Sequence, residues 1–373
     1  MSGAGGSVRT RGGHDGLRPG RLSSEPREAG AGPVAPRGVD RRPGPQSRRA
    51  VTDFASAAMI RVLSQGMRER GLDPGRLAHD AGEARVALRL KQGLVRAAVE
   101  QGGLGCLPLL GRGLRRLTHE PTHQALASAR DAHDLFERWQ RLERYIHSRH
   151  RCVVESCGAE EARLRHVSIM RGAAPSAAED LVVAGVLAAL LEAIGLQLVR
   201  VWTGGAMAYP DPHGPDLQQA AASGTTSSWC IRWEGTGGRV PVVPAEGPAL
   251  QTGADPAWPE VARAAYRRIA RDLTRPVALR ELAVDLDLPW RTLQRRLREA
   301  GLSYSRLLAE ARCRNGAWRL LHTADPIAEI GFLSGFSDQS HFTREMQRRV
   351  GMPPAAYRAA FASVGNRARR RGA

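Results

Sequence analysis

The chain has 373 residues, of which 42% are hydrophobic and 25% are charged. This length and balance predict a folded protein of two domains and exclude a wholly disordered chain. The formal net charge of +18 is divided unevenly, with +6 in residues 1–50, +1 in residues 51–256 and +11 in residues 257–373. A basic C-terminal part beside a neutral middle favours DNA as the partner of the former, and an uncharged molecule or a protein as the partner of the latter.

The two ends of the chain have the composition of disordered segments. Residues 1–52 are rich in Gly, Pro, Arg and Ser, and so few apolar side chains do not offset the entropy lost on ordering. A disordered basic tail is therefore predicted. A simpler explanation of this composition is that translation starts further downstream, for example near Met59. Residues 363–373 are predicted to form a second basic, disordered tail.

Helical and strand patterns alternate in the middle of the chain. Helical spacing of apolar residues begins at Asp53 and recurs over Ala84–Gln101 and Asp131–His150. A further helix is predicted over Ala177–Leu198, among four predicted strands: Cys152–Glu155, Ala162–Ile169, Val199–Thr203 and Trp229–Trp233. These patterns predict an α+β domain over residues 53–250. The Gly- and Pro-containing stretch Gly235–Asp255 indicates an exit loop, and residues 251–259 are predicted to be a linker.

The middle part shows no convincing site for catalysis or metal binding. His119, His123, His133, His147 and His150 lack metal-ligand spacing, and we interpret them as surface or capping residues. No phosphate-binding loop or nucleophile elbow occurs, so no enzyme activity, cofactor or metal is predicted. An enzyme fused to a DNA-reading domain, such as an alkyl-transfer repair protein, is the alternative, but it requires a reactive cysteine in an activating neighbourhood.

Four aromatic residues are weak candidates for an effector pocket. Trp202, Tyr209, Trp229 and Trp233 lie in or beside the predicted strands. Aromatic side chains in strands more commonly fill the core, and this alternative stays open.

The cysteines and the apolar runs predict a cytoplasmic protein. The five cysteines form no CxxC motif, and we interpret them as reduced, mostly buried thiols. The longest apolar run, Leu181–Leu191, has about half of the roughly 20 residues that a membrane span needs. No signal peptide is recognisable, so no membrane partner is expected. Arginine replaces lysine almost everywhere, and Lys91 is the only lysine.

Seven short helical patterns follow one another in the C-terminal part, and no strand pattern interrupts them. They are Pro259–Leu273, Leu279–Leu286, Trp290–Ala300, Tyr304–His322, Ile327–Ser334, Asp338–Val350 and Pro354–Phe361. An all-α domain is therefore predicted over residues 260–362.

The first candidate helix-turn-helix unit spans Leu279–Gly301. Asp287 predicts the turn, because Asp tolerates the left-handed backbone that such a turn often needs. Pro289 fits an early position of the second helix. Leu293 and Leu297 point into the core, which leaves five outward side chains for base edges or phosphates: Trp290, Arg291, Gln294, Arg295 and Arg298.

The second candidate unit spans Pro326–Gly351 and has clearer turn signals. Gly335 is expected to end its first helix with a left-handed cap, and Ser337 is expected to cap the next helix. Phe342 and Met346 form the predicted buried stripe. The side chains left for the groove or the phosphates are Gln339, Ser340, His341, Arg344 and Arg348.

The two units in tandem, joined by Tyr304–His322, resemble the DNA-binding domain of the AraC/XylS family of bacterial regulators. The resemblance covers roughly residues 260–362. It rests on Ile327-Ala328, Gly335 to Ser340, Phe342, Arg344, Gly351, Pro354 and Tyr357-Arg358, and in the first unit on Leu293, Arg295, Leu297 and Gly301. The sequence departs from the family pattern at Pro289, Met346, Gly316 and Gly331. Each of these two glycines is expected to weaken its helix by up to about 1 kcal/mol.

The resemblance implies a fold and a function. Two helix-turn-helix units joined by a linker helix would place their recognition helices in successive major-groove segments about 34 Å apart. The implied function is a sequence-specific transcription regulator, expected to be an activator. Its implied partners are double-stranded DNA and RNA polymerase, in the cytoplasm and associated with the nucleoid.

Residues 53–250 are similar, more loosely, to the arabinose-binding-domain-like N-terminal domain found in one branch of that family. The match rests on the order of elements and on Val201–His213. It implies that this domain senses a small-molecule effector, forms a homodimer, or both. The alternative is a regulator whose N-terminal domain only dimerises and binds no effector.

Overall fold

A computed structural model describes residues 53–75, 83–170, 172, 174–235 and 253–362. The predicted tails, residues 236–252 of the predicted exit loop, and residues 251 and 252 of the predicted linker lie outside the described residues. The limits 53–250 and 260–362 stay predictions. The predicted fold class is confirmed, because an α+β region precedes a helical region with two helix-turn-helix units.

A two-stranded ribbon opens the described chain. Strand β1 (Phe54–Ser56) pairs antiparallel with β2 (Arg85–Ala87), and each strand runs directly into a helix: α1 (Ala57–Glu69) and α2 (Leu88–Cys106). The helices that were predicted to begin at Asp53 and Ala84 therefore begin about four residues later in the structure, at Ala57 and Leu88. The ribbon satisfies the backbone of these residues, and the Ser56 hydroxyl then caps α1 by accepting a hydrogen bond from the Met59 amide at 3.2 Å.

The helices of the first region surround α5 (Ala177–Ala193), which is buried along most of its length. A 3₁₀ segment (Leu107–Arg116), α3 (Pro121–Ala127), α4 (Ala132–Ile146) and α6 (Gly214–Ala222) complete this layer. Helix α5 ends five residues before the predicted limit, because the backbone turns left-handed at Gly195 and Leu198 and a strand begins at Gln197.

Five antiparallel strands form the sheet, in the order β3-β4-β7-β5-β6. They are β3 (His150–Cys157), β4 (Glu161–Ser168), β5 (Gln197–Thr203), β6 (Ala206–Tyr209) and β7 (Ser228–Glu234). The four predicted strands are present, and β6 was missed because it has only four residues. Leu164, Val201 and Ile231 lie on the buried face, whereas the opposite face exposes arginines such as Arg163 and Arg200.

The C-terminal region contains seven consecutive helices, as predicted. They are α7 (Glu260–Ala270), α8 (Leu279–Asp285), α9 (Trp290–Glu299), α10 (Tyr304–His322), α11 (Ile327–Leu333), α12 (Gln339–Arg349) and α13 (Pro354–Phe361). The bounds of α10 and α13 agree with the prediction at both ends, and the other helices differ by at most three residues.

The two helix-turn-helix units belong to different cores. The first unit packs with α7 and the start of α10 around residues such as Tyr266, Leu293 and Leu307. The core of the second unit, with Phe342 and Tyr357, is continuous with that of the N-terminal region. The position of the second unit is therefore tied to the N-terminal region.

Candidate nucleic-acid interface

Each helix-turn-helix unit turns at a residue with a left-handed backbone. The φ angle is 52° at Asp287 and 81° at Gly335, which confirms both turn predictions. A Cβ added to Gly335 would lie 2.1 Å from the carbonyl oxygen of Leu273, in the loop between α7 and α8. The turn of the second unit therefore packs against the backbone of the loop that leads into the first unit.

Helix α9 presents a polar face opposite its buried leucines. Leu293 and Leu297 are buried, as predicted, and the exposed side chains include four of the five predicted ones: Arg291, Gln294, Arg295 and Arg298. Nη1 of Arg295 lies 2.6 Å from the Glu299 carboxylate. Both side chains of this pair are exposed, so the ion pair is weak and leaves the guanidinium able to exchange partners.

Trp290 and Pro289 differ from the prediction. Trp290 is half-buried and packs against the core of the first unit, and the guanidinium carbons of Arg280 and Arg291 each lie 5.4 Å from its ring centroid. The prediction that this side chain faces outward is wrong in part, because a large apolar ring at the first helical position covers the core. Pro289 occupies the N-cap position just before α9, with φ −58° and ψ 135°.

Helix α12 is capped by Asp338 and not by the predicted Ser337. The Asp338 carboxylate accepts a hydrogen bond from the His341 amide at 2.7 Å, and the Ser337 hydroxyl donates to the same carboxylate at 3.1 Å. Asp338 has the extended backbone of an N-cap residue, so its carboxylate reaches the free amides of the first turn. These hydrogen bonds hold the pKa of Asp338 below its usual value.

The predicted side chains on the outward face of α12 differ in how exposed they are and in whether they are paired. Gln339, Ser340, Arg344 and Arg348 are exposed, and His341 is half-buried with its ring 5.2 Å from that of Phe336. Arg348 pairs with Glu345 at 2.8 Å. Hydrogen bonds from Arg348 and Arg349 lower the pKa of Glu345 to about 2, so Glu345 is ionised at neutral pH.

One arginine occupies the same place on each of the helices α9 and α12. Arg295 lies two residues after the buried Leu293 and two before the buried Leu297. Arg344 has the same spacing from Phe342 and Met346. Two residues correspond to about half a helical turn, so each arginine lies opposite the buried stripe of its helix. The two units thus present equivalent guanidinium groups.

A glycine in the linker helix has a packing role that the sequence did not reveal. A Cβ added to Gly316, in the middle of α10, would lie 2.6 Å from Cε2 of Phe342. The glycine therefore lets the Phe342 ring pack against the backbone of α10, and this contact offsets the helix propensity that the glycine loses.

The second unit and the helix that follows it, α13, are hydrogen-bonded to the N-terminal region. Arg138 of α4 donates to the carbonyl oxygen of Phe361 at 2.8 Å, and Arg141 of α4 donates to that of Ala360 at 2.9 Å. The Tyr357 hydroxyl donates to the carbonyl oxygen of Pro121 at 2.7 Å. Helix α13, which follows the recognition helix α12, is thereby fixed to α3 and α4.

The four aromatic candidates for an effector pocket do not converge. Trp229 and Trp233 are buried and donate to the backbone carbonyls of Thr226 and Ala159, each at 2.8 Å. Trp202 is half-buried on the opposite face of the sheet. The buried Tyr209 donates to Glu192 at 2.7 Å and accepts from Arg112 at 3.0 Å. The alternation of side chains along strands explains why these residues are apart. The alternative prediction, that such aromatic residues fill the core, is correct for Trp229, Trp233 and Tyr209.

Buried polar residues between α2, α4 and the sheet were missed. His150 is buried, and its ring lies 5.4 Å from that of the half-buried His147 and 5.3 Å from that of the buried His166. Lys91 is buried beside them. Its spacing after Leu88 and before Leu94 puts it on the apolar face of α2, and this position of the only lysine was the signal available in the sequence.

The prediction of surface or capping positions is wrong for three of the five histidines. His119, His123 and His150 are buried. Burial lowers the pKa of His119 to about 2 and that of His123 to about 4, so both rings are neutral in the folded protein. The prediction of mostly buried thiols is confirmed, because Cys106, Cys152 and Cys313 are buried.

In the part of the chain that the structure describes, no helix combines the length and apolar character that a membrane crossing requires.

Comparisons with known proteins agree on the C-terminal region. A family model described as "Helix-turn-helix domain" matches residues 282–360. The "Ornithine utilization regulator" of Pseudomonas aeruginosa is 35% identical over 82 residues, which cover 22% of this chain and 24% of that protein. The "HTH-type transcriptional regulator VirS" of Mycobacterium tuberculosis is 38% identical over 78 residues, which cover 21% of this chain and 23% of that protein. The chain thus spans about a quarter of the length of these curated relatives.

A solved structure, the transcriptional regulator CdpR from Pseudomonas aeruginosa, is 18% identical with a TM-score of 0.28 and covers 80% of this chain and 97% of that one. The family match coincides with the two turns, their buried stripes and the linker helix. The C-terminal region of this chain is a helix-turn-helix domain of the AraC type.

Proposed function

We propose that this protein is a sequence-specific DNA-binding transcription regulator that reads DNA with α9 and α12 and responds to a small-molecule effector. The observation that carries the proposal is the equivalent placement of Arg295 and Arg344 on two exposed helices. Arginine in this position suits bidentate contacts to the O6 and N7 atoms of guanine. The charge of +11 in residues 257–373 supplies the general attraction to phosphate.

The other exposed side chains on the two helices have proposed roles that follow from their hydrogen-bonding groups and their charge. Gln294, Gln339 and Ser340 suit direct contacts to bases, because amides and hydroxyls both donate and accept hydrogen bonds. The arginines that flank them, Arg291, Arg298 and Arg348, suit contacts to phosphates. Trp290 and His341 are positioning residues in this proposal, since each packs against its own unit.

Helix α4 supports the proposal that the N-terminal region controls DNA binding. Its residues Trp139 and Ile146 line two internal cavities of the N-terminal region. Arg138 and Arg141, on the same helix, hold the carbonyl groups at the end of α13. A ligand that shifts α4 would therefore act directly on the unit that carries the second recognition helix.

The proposed partners and setting follow from the resemblance to AraC-type regulators. They are double-stranded DNA, RNA polymerase and a second copy of this chain in a homodimer, and the proposed setting is the bacterial cytoplasm. The proposed role is activation of transcription. The N-terminal region has a regulatory role in this proposal and catalyses no reaction.

Selection of random double-stranded DNA by the purified full-length protein tests the proposal. We expect an enriched, asymmetric site with two conserved blocks whose centres lie about one helical turn, or about 10 base pairs, apart. The same selection with the Arg295→Ala/Arg344→Ala variant serves as the control and is expected to lose both blocks. Recovery of no motif, or of one short block that the variant also selects, would contradict the proposal.

Amide hydrogen exchange tests the connection through α4. Arg141→Met removes one hydrogen bond to the end of α13, which is worth about 1 kcal/mol, so we expect roughly five-fold faster exchange of the α13 amides. Arg144→Met on the same helix is the matched control, since Arg144 is exposed. Equal exchange of α13 in the two variants would show that α4 does not hold the second unit.

A further inference from the structure

Two small cavities adjoin beside α4 in the N-terminal region. One has a volume of about 40 Å³ and is lined mainly by apolar side chains, including Val62, Leu114, Leu126 and Val186. The other has a volume of about 20 Å³, and its polar wall consists of Lys91, Glu143, His147, His150 and His166. Ser56, Met59, Trp139 and Ile146 line both cavities. Met59, whose side chain is flexible, is therefore one of the four residues shared by an apolar space and a polar one.

Lys91 is the unusual member of the polar wall. Its side chain is 1% exposed, and among the residues that the structure describes its ammonium has a single hydrogen-bond contact, at 3.4 Å from Nε2 of His147. An ammonium carries three donors, so most of the donor capacity of Lys91 is unused. A buried cation in this condition is costly unless another group accepts its hydrogen bonds.

Two of the three acidic residues near Lys91, Glu143 and Asp180, have both carboxylate oxygens engaged by other groups. Glu143 accepts hydrogen bonds from the Trp139 indole at 2.8 Å and from the Cys152 amide at 2.9 Å. Asp180 lies 2.8 Å from the His166 ring and accepts from Thr226 at 2.7 Å. Glu179 does not line the polar cavity; its Oε2 atom accepts hydrogen bonds from the amide and hydroxyl of Ser176, each at 3.1 Å, and its buried Oε1 has no hydrogen-bond partner among the described residues. None of these carboxylates is within hydrogen-bond distance of Lys91.

The pKa shifts of the wall bear on which hydrogen bonds its side chains can donate. Burial raises the pKa of Glu143 to about 7, so near neutral pH this carboxyl is protonated in a large fraction of molecules and can donate. Burial and the neighbouring Lys91 lower the pKa of His147 to about 2, so its ring is neutral. Lys91 has a lowered pKa from burial, which nearby Glu179 opposes.

We infer that these neighbouring cavities together bind a small monocarboxylate with an apolar body, with its carboxylate beside Lys91 and its body in the apolar cavity. The inference rests on the proposed effector control and names the chemistry of the effector. The carboxylate accepts the unused donors of Lys91, and the protonated form of Glu143 donates to its second oxygen. Movement of Met59 opens the two cavities to each other, and their small volumes favour short or compact acids.

Thermal unfolding of the full-length protein with a panel of acids tests the inference. The panel runs from acetate to octanoate and includes isovalerate and benzoate, and each acid is paired with its primary amide. We expect at least one acid to raise Tm by about 5 °C at roughly 100 times its Kd, whereas the matching amide gives a much smaller shift. Lys91→Met is expected to remove the response, and Arg96→Met, which changes an exposed arginine on the same helix, is expected to keep it.

A second variant keeps the test decisive if Lys91→Met does not fold. Met59→Trp fills the space between the cavities and is expected to abolish the acid-dependent shift by steric exclusion. The inference fails if no acid in the panel shifts Tm, if acid and amide give equal shifts, or if Lys91→Met keeps the response. Gel-shift assays measure DNA binding separately, so a protein that binds its DNA site and ignores the whole panel retains the proposed regulator function and loses only this ligand class.

Discussion

Replacing Arg295 and Arg344 together with alanine is expected to weaken binding to the selected DNA site by about 2–6 kcal/mol. Each bidentate contact to a base contributes about 1–3 kcal/mol. The two arginines lie on separate helices with no shared partner, so their effects should add. Even the lower limit corresponds to a loss of affinity of about 30-fold.

Gel-shift titration at one fixed salt concentration measures this loss, because binding to phosphate depends steeply on salt. The matched control is Arg163→Ala/Arg200→Ala, which removes two exposed arginines from the outer face of the sheet. We expect the control to bind within a few-fold of the unchanged protein. If the double variant on α9 and α12 keeps full affinity, the assignment of these arginines to base recognition is wrong.

The single variants Arg295→Ala and Arg344→Ala show how much each unit contributes to the affinity and selectivity of DNA binding. Each is expected to lose about 1–3 kcal/mol and to relax selectivity within one block of the site, while the other block is still read. A loss confined to Arg344→Ala would mean that the first unit contributes little specific contact. Such a result would agree with the half-buried Trp290 at the start of α9, which reduces the exposed surface of that helix.

The helices of the C-terminal region were predictable because their determinants are local. Gly335 and Asp287 form the left-handed turns. The buried residues of each second helix lie four positions apart: Leu293 and Leu297 in α9, and Phe342 and Met346 in α12. The cap of α12 was assigned to the wrong residue because Ser337 and Asp338 are adjacent and both suit an N-cap by composition. Only the backbone direction at Asp338 decides between them.

The contacts between the second unit and the N-terminal region were not predictable. Arg138, Arg141 and Tyr357 donate to main-chain carbonyl groups that lie far away in the sequence. Every residue, proline included, carries the same backbone carbonyl group, so a carbonyl acceptor leaves no pattern to recognise in the sequence. The polar wall around Lys91 was missed for a related reason, because its members come from α2, α4 and the sheet and meet only in the folded protein.

The division of the cores gives the two recognition helices different constraints. Helix α9 packs within the first unit, whereas α12 belongs to the core that includes α4. A change in the N-terminal region therefore reaches α12 through the packed side chains of a shared core, whereas it reaches α9 indirectly, through neighbouring elements such as α7 and α10. The spacing between the two helices is consequently the property that an effector is best placed to alter.

The turn at Gly335 is the most sensitive backbone position between the two units. Gly335→Ala is expected to destabilise the protein by more than about 3 kcal/mol. The left-handed backbone costs a residue with a side chain about 1–2 kcal/mol, and the new Cβ would also lie 2.1 Å from the Leu273 carbonyl oxygen, so the backbone of one unit must move.

Gly301→Ala separates these two causes. Gly301 has a φ of 68°, but a Cβ placed there would meet nothing within 4 Å, so only the backbone cost of about 1–2 kcal/mol applies. Thermal unfolding should show a loss in Tm of about 6–12 °C for Gly335→Ala and of about 2–8 °C for Gly301→Ala. Equal losses would mean that the packing of the second turn against Leu273 contributes nothing to holding the two units together.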